Sequence, residues 1–227
     1  MFKDLAIVIH TMDKYEFCWD GWYKTFSKYW DFNLDIDIYF TNERKDVNYP
    51  GIKQLKTDIG EFSDRLNRAF NMIPHNHVMY WQEDAWMLNK LNDIKQYYTD
   101  FVKYDMDYLS FIISQIYNPT GYFKYHKYQK HSGYLRFNVE KTPFVIFHQP
   151  TIWKKDFFLK YLQHSENPWD NEIEGTKRAK IDHQEKEINI YNVETLDMWY
   201  TGVSRKGKLS TWSQDILNDT YIHPIKQ

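Results

Sequence analysis

The sequence predicts an α/β fold, a mixed β-sheet with helices on both faces. Three observations predict it. Leu5-Ala6-Ile7-Val8-Ile9 is a continuous apolar run, the pattern of a central strand covered on both sides. Strand and helix periods then follow in the order β-α-β-β-α-β, up to a second such run at Val78-Met79-Tyr80-Trp81. Each of these strands ends in polar residues, and ligands of open α/β sheets bind beyond the carboxyl ends of strands.

Taken in order, the first strand leaves into His10-Thr11-Met12-Asp13. Tyr15, Cys18, Trp19, Trp22, Tyr23, Phe26 and Trp30 then recur at helical spacing. Leu34 to Phe40 alternates apolar residues with Asp35, Asp37 and Tyr39, a second strand with one less buried face, ending in Thr41-Asn42-Glu43. A short strand is expected at Ile52–Leu55 and a helix at Glu61–Met72, closed by Pro74. The strand Val78–Trp81 follows and runs into Gln82-Glu83-Asp84.

In the second half, Asp93–Tyr104 reads as a helix and Met106–Ile113 as a strand. Tyr117–Arg136, dense in Tyr, Lys and His, has neither period and reads as a long functional loop. Phe144–Phe147 is expected to be a strand ended by His148-Gln149-Pro150, with a helix from Ile152 to Leu162. Asn167-Pro168 is an N-cap and N1 pair opening a helix to about Ala179, with acids in its first turn. Ile188–Val193 reads as the last strand, followed by the basic turn Ser204-Arg205-Lys206-Gly207-Lys208. No repeat or low-complexity linker interrupts the chain, so residues 1–227 are expected to form one domain.

The bulk numbers narrow the function classes. A net charge of −2 supplies no global basic field for nucleic acid or membrane, although local basic patches remain possible readings. Aromatics make up 19% of residues, more than a core alone absorbs, and surface Tyr and Trp can stack on sugars or flat ligands. The one cysteine, Cys18, excludes an internal disulfide framework and lies in a helix, where a buried inert thiol is expected. The first apolar run is too short for a signal-peptide core or a membrane span, so the expectation is a protein of the cytoplasm without a transmembrane segment.

Three constellations can carry chemistry. Glu83-Asp84 ends an apolar strand, as acids delivered to a site mouth or as the solvated start of a loop; hard cations such as Mg2+ or Mn2+ take such oxygen ligands. Asp170, Glu172 and Glu174 are candidate general bases or surface acids complementing a helix dipole. Arg205-Lys206-Gly207-Lys208 is a phosphate clamp or a solvated turn. His75 and His77 share a strand face but lie at its amino end, away from the expected cleft. No P-loop, G-x-G-x-x-G or G-x-S-x-G motif is present.

These signals occur in a recognisable order: His10-Thr11 after the first strand, Phe62-Ser63-Asp64-Arg65-Leu66, Val78–Asp84, His148–Lys154, Asn167–Gly175 and Val203–Leu209. In this the chain resembles the small GT-A glycosyltransferases of bacterial capsule loci, large DNA viruses and phages. The resemblance implies a GT-A-like (Rossmann-like) mixed β-sheet with helices on both faces, residues 1–90 holding a nucleotide-sugar donor (a UDP-sugar favoured) and 105–227 binding the acceptor. Thr11, Asp13, Thr41 and Asn42 would hold base and ribose, and Arg65 the sugar and pyrophosphate. Gln82-Glu83-Asp84 corresponds to the DxD motif with its first Asp replaced by Gln; Asp84 becomes the ligand of Mn2+ or Mg2+ and Glu83 a donor contact.

Trp169-Asp170-Asn171-Glu172 resembles the segment that supplies the base of inverting members, which implies Glu172, with Asp170 in reserve. Arg205 and Lys208 would stabilise the departing diphosphate, and Tyr122, His148, Trp153 and Trp169 would bind the acceptor, a glycan or else a nucleic acid. For a virus-encoded protein the compartment would be the host cytoplasm. Two rival classes remain: a non-catalytic carbohydrate-binding module and a nucleotidyltransferase.

Overall fold

The computed structural model describes residues 2–91, 93–111, 134–193 and 200–221. In chain order the elements are β1 (Leu5–His10), a 3-10 turn (Asp13–Cys18), α1 (Trp19–Tyr29), β2 (Asp37–Asn42), β3 (Lys53–Lys56), α2 (Phe62–Asn71), β4 (His77–Gln82), β5 (Ala85–Met87), α3 (Ile94–Lys103) and β6 (Tyr108–Ser110). They continue with β7 (Tyr134–Arg136), β8 (Thr151–Lys154), α4 (Lys155–Tyr161), α5 (Pro168–Asp170), a π-helical turn (Asn171–Gly175), α6 (Thr176–Glu185), β9 (Ile190–Val193), β10 (Tyr200–Gly202), β11 (Ser204–Arg205), β12 (Lys208–Leu209) and α7 (Ser213–Leu217).

Eight strands form one mixed sheet in the order β3-β2-β1-β4-β8-β6-β9-β7. β1 pairs parallel with both β2 and β4, in the registers Ile7↔Ile38 and Ile7↔Met79. β8 enters antiparallel between β4 and β6. Strand alternation sends Leu5, Ile7, Ile9, Met79 and Trp81 into one core and Ala6, Val8, Val78 and Tyr80 into the other. The first core is closed by α1 and α3 and the second by α2, α4 and α6, so helices cover both faces. In α1, Gly21 lies where any Cβ would stand 2.0 Å from the Trp86 ring, which lets the helix pass close over β5.

Several expectations are corrected. β2 begins at Asp37, not Leu34, and is buried along its length because β1 and β3 flank it; Tyr39 sends its hydroxyl out to Asp37 Oδ2 at 3.1 Å. Phe144–Phe147 is not a strand. The amides of Val145 and Ile146 donate to Thr176 Oγ1 at 3.0 Å each, so one helix side chain satisfies two backbone amides that would otherwise need a sheet partner. Thr151–Lys154, expected at a helix start, is instead β8, and α4 follows it without a loop. The expected loop Tyr117–Arg136 ends in β7, while residues 112–133, including Tyr122, lie outside the described residues.

The Asn167-Pro168 cap is present, with Asn167 Oδ1 accepting the amide of Asp170 at 3.0 Å. The helical stretch it opens runs through the π-helical turn to Glu185. Among the described residues no helix is long and apolar enough to cross a membrane.

Candidate active site

The exits of β1 and β4, the N-terminus of α2, the segment 144–149, the α5 and π-helical turns and the β11–β12 hairpin together enclose a cleft of about 710 Å3. Thr11, Glu83, Asp84, His148, Trp169 and Glu172, singled out from the sequence, all line it. Asp13, Thr41, Asn42, Arg65, Trp153, Asp170, Arg205 and Lys208 do not.

The acid pair sits where β4 leaves the sheet. Glu83 is 6% exposed, and burial together with the neighbouring Asp84 charge pushes its carboxyl well above the usual range. Burial also raises Asp84, and the backbone carbonyl of that residue accepts the amide of Val203 at 2.9 Å. Two adjacent buried carboxyls resist ionising together, and a bound cation would relieve that cost. They fit a Mg2+ or Mn2+ ion that draws its other ligands from phosphate and water, since such ions need only one or two protein carboxylates. Among the described residues no set of three His, Cys, Asp or Glu forms a full protein cage. Cys18 is free and fully buried, its thiol pushed up by burial and by the Glu83 and Asp84 charges, which makes it the inert thiol expected.

Glu172 stands on the π-helical turn, a distortion often found at functional sites. Its Oε1 accepts the backbone amide of His148 at 3.0 Å, while burial, outweighing that bond, raises its carboxyl above the usual value. A carboxylate raised in this way is a stronger base than an exposed one, which suits proton abstraction. Asp170, two residues earlier, is exposed and spends its side chain on Asn167 Nδ2 at 2.5 Å. His148 is buried against Phe62, with ring centroids 4.5 Å apart, and burial lowers it to about 3, so the ring is neutral.

The residues expected to hold base and ribose split. Thr11 lines the cleft and its Oγ1 accepts from Trp19 Nε1 at 2.8 Å. Asp13 is a structural clamp: its carboxylate accepts Asn42 Nδ2 at 2.9 Å and the amides of Glu43, Arg44 and Lys45 at 3.0–3.2 Å. Partial burial pushes Asp13 up, but these bonds win and hold it below the usual carboxylate range. Asn42 is saturated, its Nδ2 also reaching Lys45 O and its Oδ1 accepting Gln54 Nε2 at 2.8 Å. Thr41 is buried and gives its carbonyl to the Thr11 amide at 3.0 Å.

Arg65 is fully buried; its Nη2 donates to Thr11 O and lies 3.0 Å from His10 Nε2, while Nε and Nη1 find no partner among the described residues. Burial lowers it, against the attraction of Glu43 and Glu83. Burial likewise holds His10 neutral, helped by the Arg65 charge.

Trp153 belongs to the core, buried between Tyr108 and Phe158 with centroids 4.5 Å away on both sides. Trp169 is the opposite case, 72% exposed at the cleft rim near Phe144 and Gln149. In the basic turn the cleft residues are Ser204, Lys206 and Gly207. Lys206 and Gly207 have φ of 52° and 72°, the two left-handed positions of a tight hairpin turn, and this places Lys206 at the tip while Arg205 and Lys208 are exposed off the cleft. His10, Lys14 and Tyr15 were not singled out as ligands from sequence, although His10 ends β1 and the other two lie in the 3-10 turn after it; Lys206 was named only within the basic stretch 205–208. His75 and His77 lie at the far end of β4, beside Asp37 and Asp4.

No protein-family profile and no curated protein matches the chain. Its fold does match solved structures. Staphylococcus aureus TarS 1–349 in complex with UDP-GlcNAc overlays with a TM-score of 0.61 at 12% identity, covering 91% of this chain and 60% of that one. A longer S. aureus TarS structure gives 0.58 at 11% identity, covering 96% and 42%. A Bacillus anthracis protein assigned as a glucose-1-phosphate thymidylyltransferase, in complex with sucrose, gives 0.52 at 8% identity and covers 96% of both chains. The chain thus spans less than two thirds of the length of the TarS structures. At these identities the likeness is one of fold, and the fold is a GT-A-like, Rossmann-like mixed sheet with helices on both faces.

Proposed function

We propose that the chain is an inverting glycosyltransferase that moves a sugar from a nucleotide-sugar donor to an acceptor hydroxyl. The observation that carries the reading is one cleft holding two kinds of carboxyl: the buried pair Glu83-Asp84 at a strand end, and Glu172, separately held by the His148 amide. The first kind suits a donor diphosphate through a divalent cation, and the second suits a base.

In this reading Glu172 accepts the proton of the acceptor hydroxyl as its oxygen bonds to the anomeric carbon. The bond from that carbon to the diphosphate oxygen breaks, and its electron pair leaves with the nucleoside diphosphate. Lys206 replaces Arg205 and Lys208 as the cation facing the leaving group, because it is the basic side chain of the turn that lines the cleft. Asp84, with Glu83, would hold Mn2+ or Mg2+, which when bound neutralises charge on the diphosphate. Thr11, which lines the cleft at the β1 exit, serves the donor, and the buried Arg65 braces it from behind through its carbonyl. Trp169, with Phe144 and the amides of Gln149 and Asn167, forms an acceptor platform suited to a glycan, whose C–H face packs on the ring while its hydroxyls meet the amides.

S. aureus TarS 1–349, seen with UDP-GlcNAc, supports a UDP-sugar donor. A nucleotidyltransferase is the second reading, favoured by the end-to-end overlay with the B. anthracis protein. A screen of UDP-, GDP- and dTDP-sugars, run in parallel with nucleoside triphosphates plus a sugar phosphate, each with Mn2+, separates the two. Release of a nucleoside diphosphate supports the glycosyltransferase. Release of pyrophosphate from a nucleoside triphosphate and a sugar phosphate supports the alternative.

A further inference from the structure

Behind the cleft, Glu166 joins three parts of the chain. Its side chain is 12% exposed, and its two oxygens accept four hydrogen bonds. Arg178 Nη1 reaches Oε1 at 2.8 Å and Arg178 Nη2 reaches Oε2 at 3.0 Å; Asn171 Nδ2 and the Gln163 amide also reach Oε2, at 2.7 and 3.1 Å. Arg178 Nη2 and Asn171 Nδ2 each also donate to Tyr161 O, at the end of α4, at 2.7 Å. The backbone of Glu166 is tied to α2: its amide donates to Ser63 Oγ at 3.0 Å and its carbonyl accepts the Ser63 amide at 3.1 Å.

The placement of these ties matters. Asn171 directly precedes Glu172, and Ser63 lies between Phe62, which lines the cleft, and Arg65, which bonds to Thr11. The Glu166 clasp therefore bolts the turn carrying Glu172 to the helix on the donor side. A π-helical turn is a poor holder of a side chain on its own, since its backbone bonds are looser than those of an α-helix. A bidentate guanidinium–carboxylate pair supplies directional rigidity that a lone charge cannot.

We infer that Glu166 and Arg178 are positioning residues that hold Glu172 at the cleft, seated on the His148 amide. The functional consequence rests on the reading of Glu172 as the base; the positional one does not. Two signals report it directly. Amide exchange at His148 reads the bond to Glu172, and the side-chain carboxyl carbon resonance of Glu172 reads its titration.

Glu166→Gln keeps the shape but loses the charge. It is expected to cut His148 amide protection by about tenfold while leaving β1 and β4 within about twofold. It is also expected to bring the Glu172 titration down toward the ordinary carboxylate range as the turn opens to water. Arg178→Lys should restore part of both signals relative to Arg178→Met. Ser63→Ala, a milder change, should shift them in the same direction by less. Wild-type His148 protection and Glu172 titration in folded Glu166→Gln would overturn the inference, and so would a loss of protection spread evenly through β1 and β4. If the signals move as expected but Glu172→Gln still consumes UDP-GlcNAc at the wild-type rate, the clasp stands and the base reading fails.

Discussion

The backbone amide of His148 donates to Oε1 of Glu172 at 3.0 Å. That bond joins the irregular segment ahead of β8 to the π-helical turn, and it leaves the rest of the Glu172 carboxylate facing the cleft. The same irregular segment hands its preceding amides, those of Val145 and Ile146, to Thr176. One helix thus organises an apolar stretch that would otherwise seek a sheet, and places a carboxylate at its end.

Burial raises Glu172, and this gives a pH signature with a definite sign. The base acts as the carboxylate, so kcat/KM is expected to fall on its acidic limb at a pH above the ordinary glutamate value of about 4.3. Stability runs the other way. As pH rises from the ordinary value through the raised one, the unfolded chain ionises first and the folded state loses stability. Glu172→Gln cannot ionise, so its melting temperature should gain on that of the wild type between pH 4 and pH 8. A gap that stays constant across that range would contradict the buried placement.

Lys206, at the hairpin tip, is expected to matter more than its basic neighbours. Lys206→Ala should weaken UDP binding by about tenfold at low salt, near the 1.4 kcal/mol expected for one charge-assisted contact, and by less at high salt. Arg205→Ala and Lys208→Ala should stay within about twofold. Calorimetric titration of the three variants checks the ranking.

Asp84→Asn is expected to abolish the part of UDP affinity that depends on Mn2+ and to leave the metal-free affinity in place. With Gln82 where the resemblance would put a further acid, Asp84, helped by Glu83, would carry that dependence. Titration with and without Mn2+ measures it, and an unchanged metal increment would remove Asp84 from the site.

Asp13→Asn tests a residue that sequence alone assigns to the ligand. Its carboxylate holds three backbone amides after β2, and each neutral replacement of such a charged acceptor weakens a bond worth about 1 kcal/mol. A loss of about 1–3 kcal/mol in urea unfolding is expected. Unchanged stability with lost UDP binding would return Asp13 to the site.

Much of this was legible in the sequence, for physical reasons that differ by element. β1 and β4 declare themselves because both faces are covered and every residue must be apolar until the strand exits. The Asn167-Pro168 cap is local chemistry and reads directly. Phe144–Phe147 did not read correctly, because its partners are side chains some 30 residues away. β8 was hidden by the helix that begins immediately after its last residue.

Glu83 and Asp84, read from a strand end, and Glu172, read from an acidic helix start and the resemblance, do line the cleft, but the resemblance could not tell a ligand from a clamp at Asp13 and Asn42, where both answers are polar residues after a strand. It also could not pick Lys206 from Arg205 and Lys208, since the choice depends on a turn of two left-handed residues. Trp153 was misplaced because an aromatic beside a cleft motif looks the same in sequence whether it faces the cleft or the core.

The central claim is that Glu172 is the base of a sugar transfer. The most direct test measures UDP release from UDP-GlcNAc, with the acceptor or water as nucleophile, in the wild type and in Glu172→Gln, alongside UDP affinity. Glu172→Gln is expected to lose rate by about 100-fold or more, with UDP affinity within about twofold. A wild-type rate in folded Glu172→Gln with normal UDP affinity would contradict it.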